Sequence, residues 1–408
     1  MLDVEFCRSF FPPLASGEVY FENAGGSYAP RQVIEAVDAY MRGSQCQPGW
    51  RFASSRNARE RLDRSHALMA EAINADRDEI VIGPSTTLNV YVLAHAIAPL
   101  LAQGDEIVVT NQDHEANGGA WRRLADAGVV VREWRVDPVT GDLDVDALDD
   151  LLGDRTRLVC FPHISNIVGS VNDVETITAK AHAAGAMVCV DGVAAVAHRL
   201  PDVKALDVDF YLFSTYKMYG PHLGVMYAKR AHMETVANQN HFFHERNIPE
   251  KLHPGGLTYE LAASLHGIVD YLDAVHAHHF GADENDLRSR LEKVYGLFEA
   301  QEASLLASVI GYLGGRPDVR IIGRPIADCE ARAPTVSVVV DGRDPADIAS
   351  RLAERGVCVG HGHFYGYRCV EALGIDPASG VLRFSMVHYN TVGEAERFIE
   401  AFAAVTGE

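Results

Sequence analysis

The middle of the chain alternates short apolar runs with longer, alanine-rich amphipathic stretches. Runs at 79–83, 106–110, 129–136, 156–164, 186–193 and 209–215 are bounded by polar or turn-forming residues and predict buried strands. Stretches between them, such as 174–184, have the length and alanine content of helices. Strands that are apolar throughout and separated by helices predict an α/β fold whose mostly parallel sheet is covered on both faces. Ligands of such sheets lie at the carboxyl ends of the strands, so the chemistry is sought there.

The texture changes after Pro254-Gly255-Gly256. Residues 260–310 predict helices, the last from Asp286 to about Val309. Runs at 319–323, 335–341 and 381–387 then alternate with helices at 345–356 and 392–405. This pattern predicts a smaller α+β domain. The expected division is an N-terminal arm over 1–15, a large domain over 16–260 and a small domain over 261–408, with the arm packed on the small domain. No repeat or low-complexity linker separates the parts, so they are expected to be docked.

Composition narrows the classes. The 408 residues are 48% hydrophobic and 23% charged, which excludes disorder and is enough for two packed cores. A formal charge of −20 disfavours nucleic acid and anionic lipid as partners. No run approaches about 18 uncharged apolar residues, and MLDVEFCRSFFPPL at the N-terminus lacks the pattern of a secretion signal. The seven cysteines include no C-x-x-C pair, and an odd count fits reduced thiols. A cytoplasmic location is expected, with neither membrane nor nucleic acid as a partner.

Two segments carry candidate chemistry. Asp191 is the first polar residue after the apolar run AMVCV, and Ser214 and Lys217 follow the next run. Taken singly, Asp191 reads equally as a helix cap or a salt-bridged loop acid, and Lys217, between Tyr216 and Tyr219, as a snorkelling surface lysine. Taken together they suit pyridoxal phosphate (PLP), which needs a lysine for a Schiff base and an acid beside its pyridine nitrogen. Neither G-x-G-x-x-G after a strand nor G-x-x-x-x-G-K-[ST] is present, which counts against a nucleotide-binding domain.

From YFENAGG (20–26) to LRFSMVHYNT (382–391) the chain resembles the class V aminotransferase and cysteine desulfurase-like group of fold-type I PLP enzymes, with six motifs in that family's order. The resemblance implies a large domain with a seven-stranded sheet, PLP as cofactor, an amino-acid substrate and a homodimer. GPSTTLN (83–89) resembles the phosphate-binding turn, giving Ser85, Thr86 and Thr87 to the phosphate; a plain helix cap would use the same residues. DHEAN resembles the segment whose histidine, His114, stacks on the ring, and HISNIVG the segment whose asparagine, Asn166, bonds near the ring hydroxyl. The resemblance further implies Asp191 at the ring nitrogen, Lys217 in the Schiff base, and Ser214 and Tyr216 as phosphate donors. Thr258 in PGGLTYE would complete the phosphate site of a neighbouring subunit. Arg383 falls where the family holds the substrate carboxylate; a guanidinium in an apolar strand needs a partner, and a structural salt bridge competes for that role.

Two positions depart from the desulfurase pattern. Ala194 stands where those enzymes carry a glutamine. In VCVGHGHFYGYRCVEALG (357–374), Phe364 and Tyr365 stand where the sulfur-accepting cysteine is expected, and His363 and Tyr365 become candidates to face the substrate. Cys358 falls before this loop, and Cys369 reads as a buried small hydrophobe. His222, His361 and His363 lack companion ligands, so no metal is expected, and the clusters at 241–244 and 276–279 are expected on helix or loop surfaces. The expected activity is that of an aminotransferase or a C–S or β-elimination lyase. An amino-acid epimerase or racemase, a true cysteine desulfurase and a catalytically silent binding protein are the alternatives.

Overall fold

The computed structural model describes residues 1–407. In chain order the strands are β1 (Val19–Tyr20), β2 (Ile80–Gly83), β3 (Glu106–Thr110), β4 (Val130–Trp134), β5 (Thr156–Pro162), β6 (Met187–Asp191), β7 (Phe210–Ser214) and β8 (Gly224–Ala228). They continue with β9 (Val319–Ile321), β10 (Thr335–Val340), β11 (Val357–Cys358), β12 (Gly360–Gly362) and β13 (Val381–Ser385). A seven-stranded sheet runs in the order β2-β8-β7-β6-β5-β3-β4. Only β8, absent from the sequence-based expectation, is antiparallel to its neighbours β2 and β7.

Successive side chains of a strand point to opposite faces, and here both faces are buried. Val159, Phe161, Val188, Val190, Tyr211 and Phe213 enter one apolar core, while Leu158, Cys160, Cys189, Phe210 and Leu212 enter another. Helix Val174–Ala183 covers the first face through Ile177 and Ala181. Helices Thr86–Ile97 and Glu115–Arg122 cover the second through Val90, Leu93 and Trp121. Burial on both faces is why these strands read as unbroken apolar runs.

The smaller sheet, β12-β13-β10-β9, is antiparallel and packs its Val336, Val338, Leu382 and Phe384 against helices Leu287–Gly314 and Val392–Thr406. The two cores interleave along the chain around the expected 260/261. Ala262, Leu265, Ile268, Leu272, Leu291 and Phe298 belong to the large-domain core, whereas Val19 and Phe21 are buried in the small one. Helix Leu287–Gly314, 28 residues and so about 42 Å long, contributes Leu291 to the first core and Leu305 to the second, so no clean break exists along it.

The N-terminal arm makes its contacts largely with residues beyond 260. Phe6 stacks on His278 at 3.8 Å, Phe11 lies 5.0 Å from Tyr271 and 4.7 Å from Tyr389, and Arg8 reaches Glu394 at 3.0 Å and the Tyr389 carbonyl at 2.7 Å. Leu2, Cys7 and Phe11 enter the core that helix His266–Phe280 shares with the large sheet. His276 is buried in helix His266–Phe280, correcting the surface position expected for it. The 241–244 cluster does expose Phe242 and Phe243. No helix among the described residues is long and apolar enough to cross a membrane.

Candidate active site

A cavity of about 190 Å³ opens at the carboxyl ends of β5, β6 and β7 and is closed from the small domain by Phe364, Tyr365 and Arg383. Its chemistry divides into three parts.

At one end lies the start of helix Thr86–Ile97. Ser85 caps this helix by accepting from the Leu88 N–H at 3.2 Å, so its hydroxyl is spent on the backbone and Ser85 does not line the cavity. Thr86 and Thr87 do line it, and the Thr86 hydroxyl lies 2.8 Å from that of Ser214, the last residue of β7. Two hydroxyls and a helix N-terminus make an anion site. The close approach depends on Gly224 in β8. A Cβ there would lie 2.4 Å from the Ser85 carbonyl carbon and 2.5 Å from the Thr86 nitrogen. Tyr216 joins the lining, its ring stacked on His222 at 4.5 Å. Thr258 is exposed and lies outside the lining of this cavity.

In the middle, Asp191 ends β6 and Lys217 sits in the turn Thr215–Lys217 after β7; both line the cavity. Burial raises the Asp191 carboxyl to about 6 against the Val193 N–H and the charge of Lys217. Burial, then the charge of Arg383, lowers the Lys217 amine to about 7, opposed by Glu22 and Asp191. Its Nζ donates to the Ala24 carbonyl. A lysine so placed holds a substantial fraction of free amine near neutrality and is competent for imine chemistry. His114 is pushed down to about 4 by burial, with the charges of Lys217 and Arg383 adding to it, so its ring is neutral. Its Nδ1 accepts from the Ala116 N–H at 3.0 Å, which fixes the ring at the start of helix Glu115–Arg122. Tyr365 lies 5.2 Å from that ring. Asp113, fully buried behind it, is raised well above the usual carboxyl range by burial and by the charge of Asp191.

At the third part, Arg383 of β13 is nearly inaccessible. Its Nη2 donates to Glu22 at 2.8 Å and its Nη1 to the Asn166 carbonyl at 3.1 Å, and the Phe364 ring covers its guanidinium at 3.7 Å. Asn166 Nδ2 donates to the Phe364 carbonyl at 2.9 Å, while its Oδ1 is buried without a partner. His363 does not line the cavity; its Nδ1 instead accepts from the Tyr365 N–H at 3.2 Å. Sequence reasoning missed Glu22 and Ala24, although both lie inside the quoted segment YFENAGG. An acid directly after an apolar strand was the available signal. It also missed the stacking role of Phe364, which has no local trace.

No cysteine lines the cavity. Cys369 is buried, which pushes its thiol up to about 12, and burial likewise raises that of Cys358. No group of three or more His, Cys, Asp or Glu among the described residues is arranged to hold a metal.

The donor set fits PLP: an anion cradle at Thr86 and Ser214, a buried acid for a ring nitrogen, an amine of lowered basicity, and an unpaired amide oxygen on Asn166. A sheet of this topology with these groups at its carboxyl edge defines a PLP-dependent enzyme. The chain belongs to the class-V aminotransferase family, whose model matches residues 19–398. It is 34% identical to "Aminotransferase-like protein FGM3" of Gibberella zeae, over 98% of each chain. It is 35% identical to "Cysteine desulfurase-like protein ustD" of Aspergillus flavus, over 98% of this chain and 89% of the relative. The crystal structure of the cysteine desulfurase CsdA from Escherichia coli superposes with a TM-score of 0.84 at 26% identity, covering 99% of this chain and 98% of that one.

Proposed function

We propose that the protein acts on a free amino acid as an aminotransferase or a C–S or β-elimination lyase, and does not pass sulfur to a cysteine of its own. The observation that carries this reading is the cavity lining, which joins Lys217, Asp191 and Arg383 and contains no thiol.

PLP, when bound, supplies an electron sink for the bonds at the substrate's Cα. Thr86, Thr87, Ser214 and Tyr216 hold its phosphate, and the Asp191 carboxylate holds a proton on the ring nitrogen by charge pairing. His114 and Asn166 orient the ring. Lys217 Nζ, once free, takes a proton from Cα or returns it, and its lowered basicity suits both directions near neutral pH. Arg383 anchors the substrate carboxylate, and Tyr365 limits water access from the exposed side. Thr258, exposed and outside the lining of its own cavity, serves the phosphate site of a second copy in a homodimer, as the family resemblance implies.

The purified protein is expected to show a visible cofactor band that Lys217→Ala abolishes. Wild-type protein incubated with a panel of amino acids that includes L-cysteine is expected to yield keto acid or sulfide. Persulfide formed on the protein itself would defeat the reading, as would wild-type protein that stays colourless with PLP. Racemised substrate as the sole product would favour the epimerase alternative.

A further inference from the structure

The guanidinium offered to a substrate carboxylate already has one. Glu22 lies just beyond β1, with Oε1 2.8 Å from Arg383 Nη2. The two members of the pair are unequally held. The Arg383 side chain is 2% exposed and sits in a strand beneath the Phe364 ring, whereas that of Glu22 is 25% exposed and lines the cavity. An entering carboxylate therefore meets an anion before it meets the cation. The carboxylate of Glu22 is seated between two glycines: a Cβ on Gly25 would lie 2.4 Å from Oε1, and one on Gly360 would lie 2.6 Å from Oε2. The seat gives packing without full satisfaction, because Glu22 Oε2 and Arg383 Nε are buried with no hydrogen-bond partner. A buried ion pair with orphaned atoms on both members is poorly compensated for its desolvation, and a ligand that offers better geometry can open it.

We propose that Glu22 is a specificity-determining residue that acts as an internal counter-ion on Arg383: a substrate carboxylate gains the guanidinium by displacing Glu22 from it, and weaker anions fail to open the pair. The inference rests on the proposed role of Arg383 as carboxylate anchor. Because Arg383 is clamped by Phe364 and the Asn166 carbonyl, Glu22 is the member that moves. Without Glu22 the guanidinium is an uncompensated buried cation, and its affinity for an added carboxylate rises.

The test uses the PLP-loaded protein with propionate, a carboxylate with no amine to react with the cofactor, titrated through the shift of the visible band. Glu22→Gln is expected to bind propionate about tenfold or more tightly than wild type, a factor of ten being about 1.4 kcal/mol. It should also lower KM for the amino-acid substrate, as removal of a ground-state competitor requires. Glu22→Ala, which asks no amide to fit between Gly25 and Gly360, should move both readings the same way. In an Arg383→Gln background the Glu22 substitution should have no effect. Unchanged or weaker propionate binding by both Glu22 variants, with the cofactor band intact, overturns the proposal. Propionate binding by Arg383→Gln at wild-type strength instead removes the anchor role on which it rests, so the two failures are distinguishable.

Discussion

The side-chain hydroxyls of Thr86 and Ser214 lie 2.8 Å apart although 128 residues separate them in the chain. The antiparallel strand β8 brings them together: Gly224 pairs with Ser214 on one side and with Gly83, just ahead of the helix start, on the other. In the proposed function each hydroxyl donates to a phosphate, and a hydrogen bond to a charged group contributes about 1.5–3 kcal/mol. Thr86→Ala and Ser214→Ala are each expected to weaken PLP binding by about tenfold to a hundredfold while leaving the affinity for unphosphorylated pyridoxal unchanged. Equal losses for both vitamers, measured by equilibrium dialysis, would show that the hydroxyls support the fold and not the phosphate.

Lys217 predicts a pH dependence of the cofactor-free protein. Burial, then the charge of Arg383, lowers its amine from 10.5 to about 7 in the folded state. Between those values the unfolded chain binds a proton that the folded protein does not. Stability therefore rises with pH across that window, and the penalty of the buried amine is fully present below it. The denaturant midpoint of wild-type apoprotein should rise from pH 7 to pH 10 relative to that of Lys217→Met. A difference between the two that stays constant across this range contradicts the depressed basicity.

Gly224→Ala tests the close approach on which the anion cradle depends. Its Cβ would lie 2.4–2.5 Å from backbone atoms of Ser85 and Thr86, and backbone cannot swing aside as a side chain can. Overpacking of this kind costs about 1–3 kcal/mol or more. The variant is expected to unfold at lower denaturant and to retain less PLP at a given concentration. Wild-type behaviour in both measurements would mean that the helix start moves freely.

Much of the large domain was legible because burial on both faces writes itself into the chain as unbroken apolar runs, as at β5, β6 and β7. β8 was missed: Gly-Val-Met-Tyr-Ala is short, begins with glycine and follows a turn, so nothing local separates it from a loop. The way the two cores share one helix was hidden for a related reason. Helix Leu287–Gly314 has one continuous pattern, yet it serves two cores in succession. His276 was assigned to the surface with the rest of its cluster, which offered no companion metal ligands, whereas the face of the helix it occupies is turned inward.

The sequence alone determined where most buried strands of the large domain lie, and so which reactive side chains stand near their ends, because strand burial is a local property that a run of a few residues records. Asp191 and Lys217 were readable on that basis. Only the tertiary structure decided what each group faces. The pairing of Glu22 with Arg383 joins residues 361 apart, and the Phe364 ring over that guanidinium comes from a different loop again. Such contacts are set by how two cores pack against each other, and a periodicity along the chain carries no record of that packing.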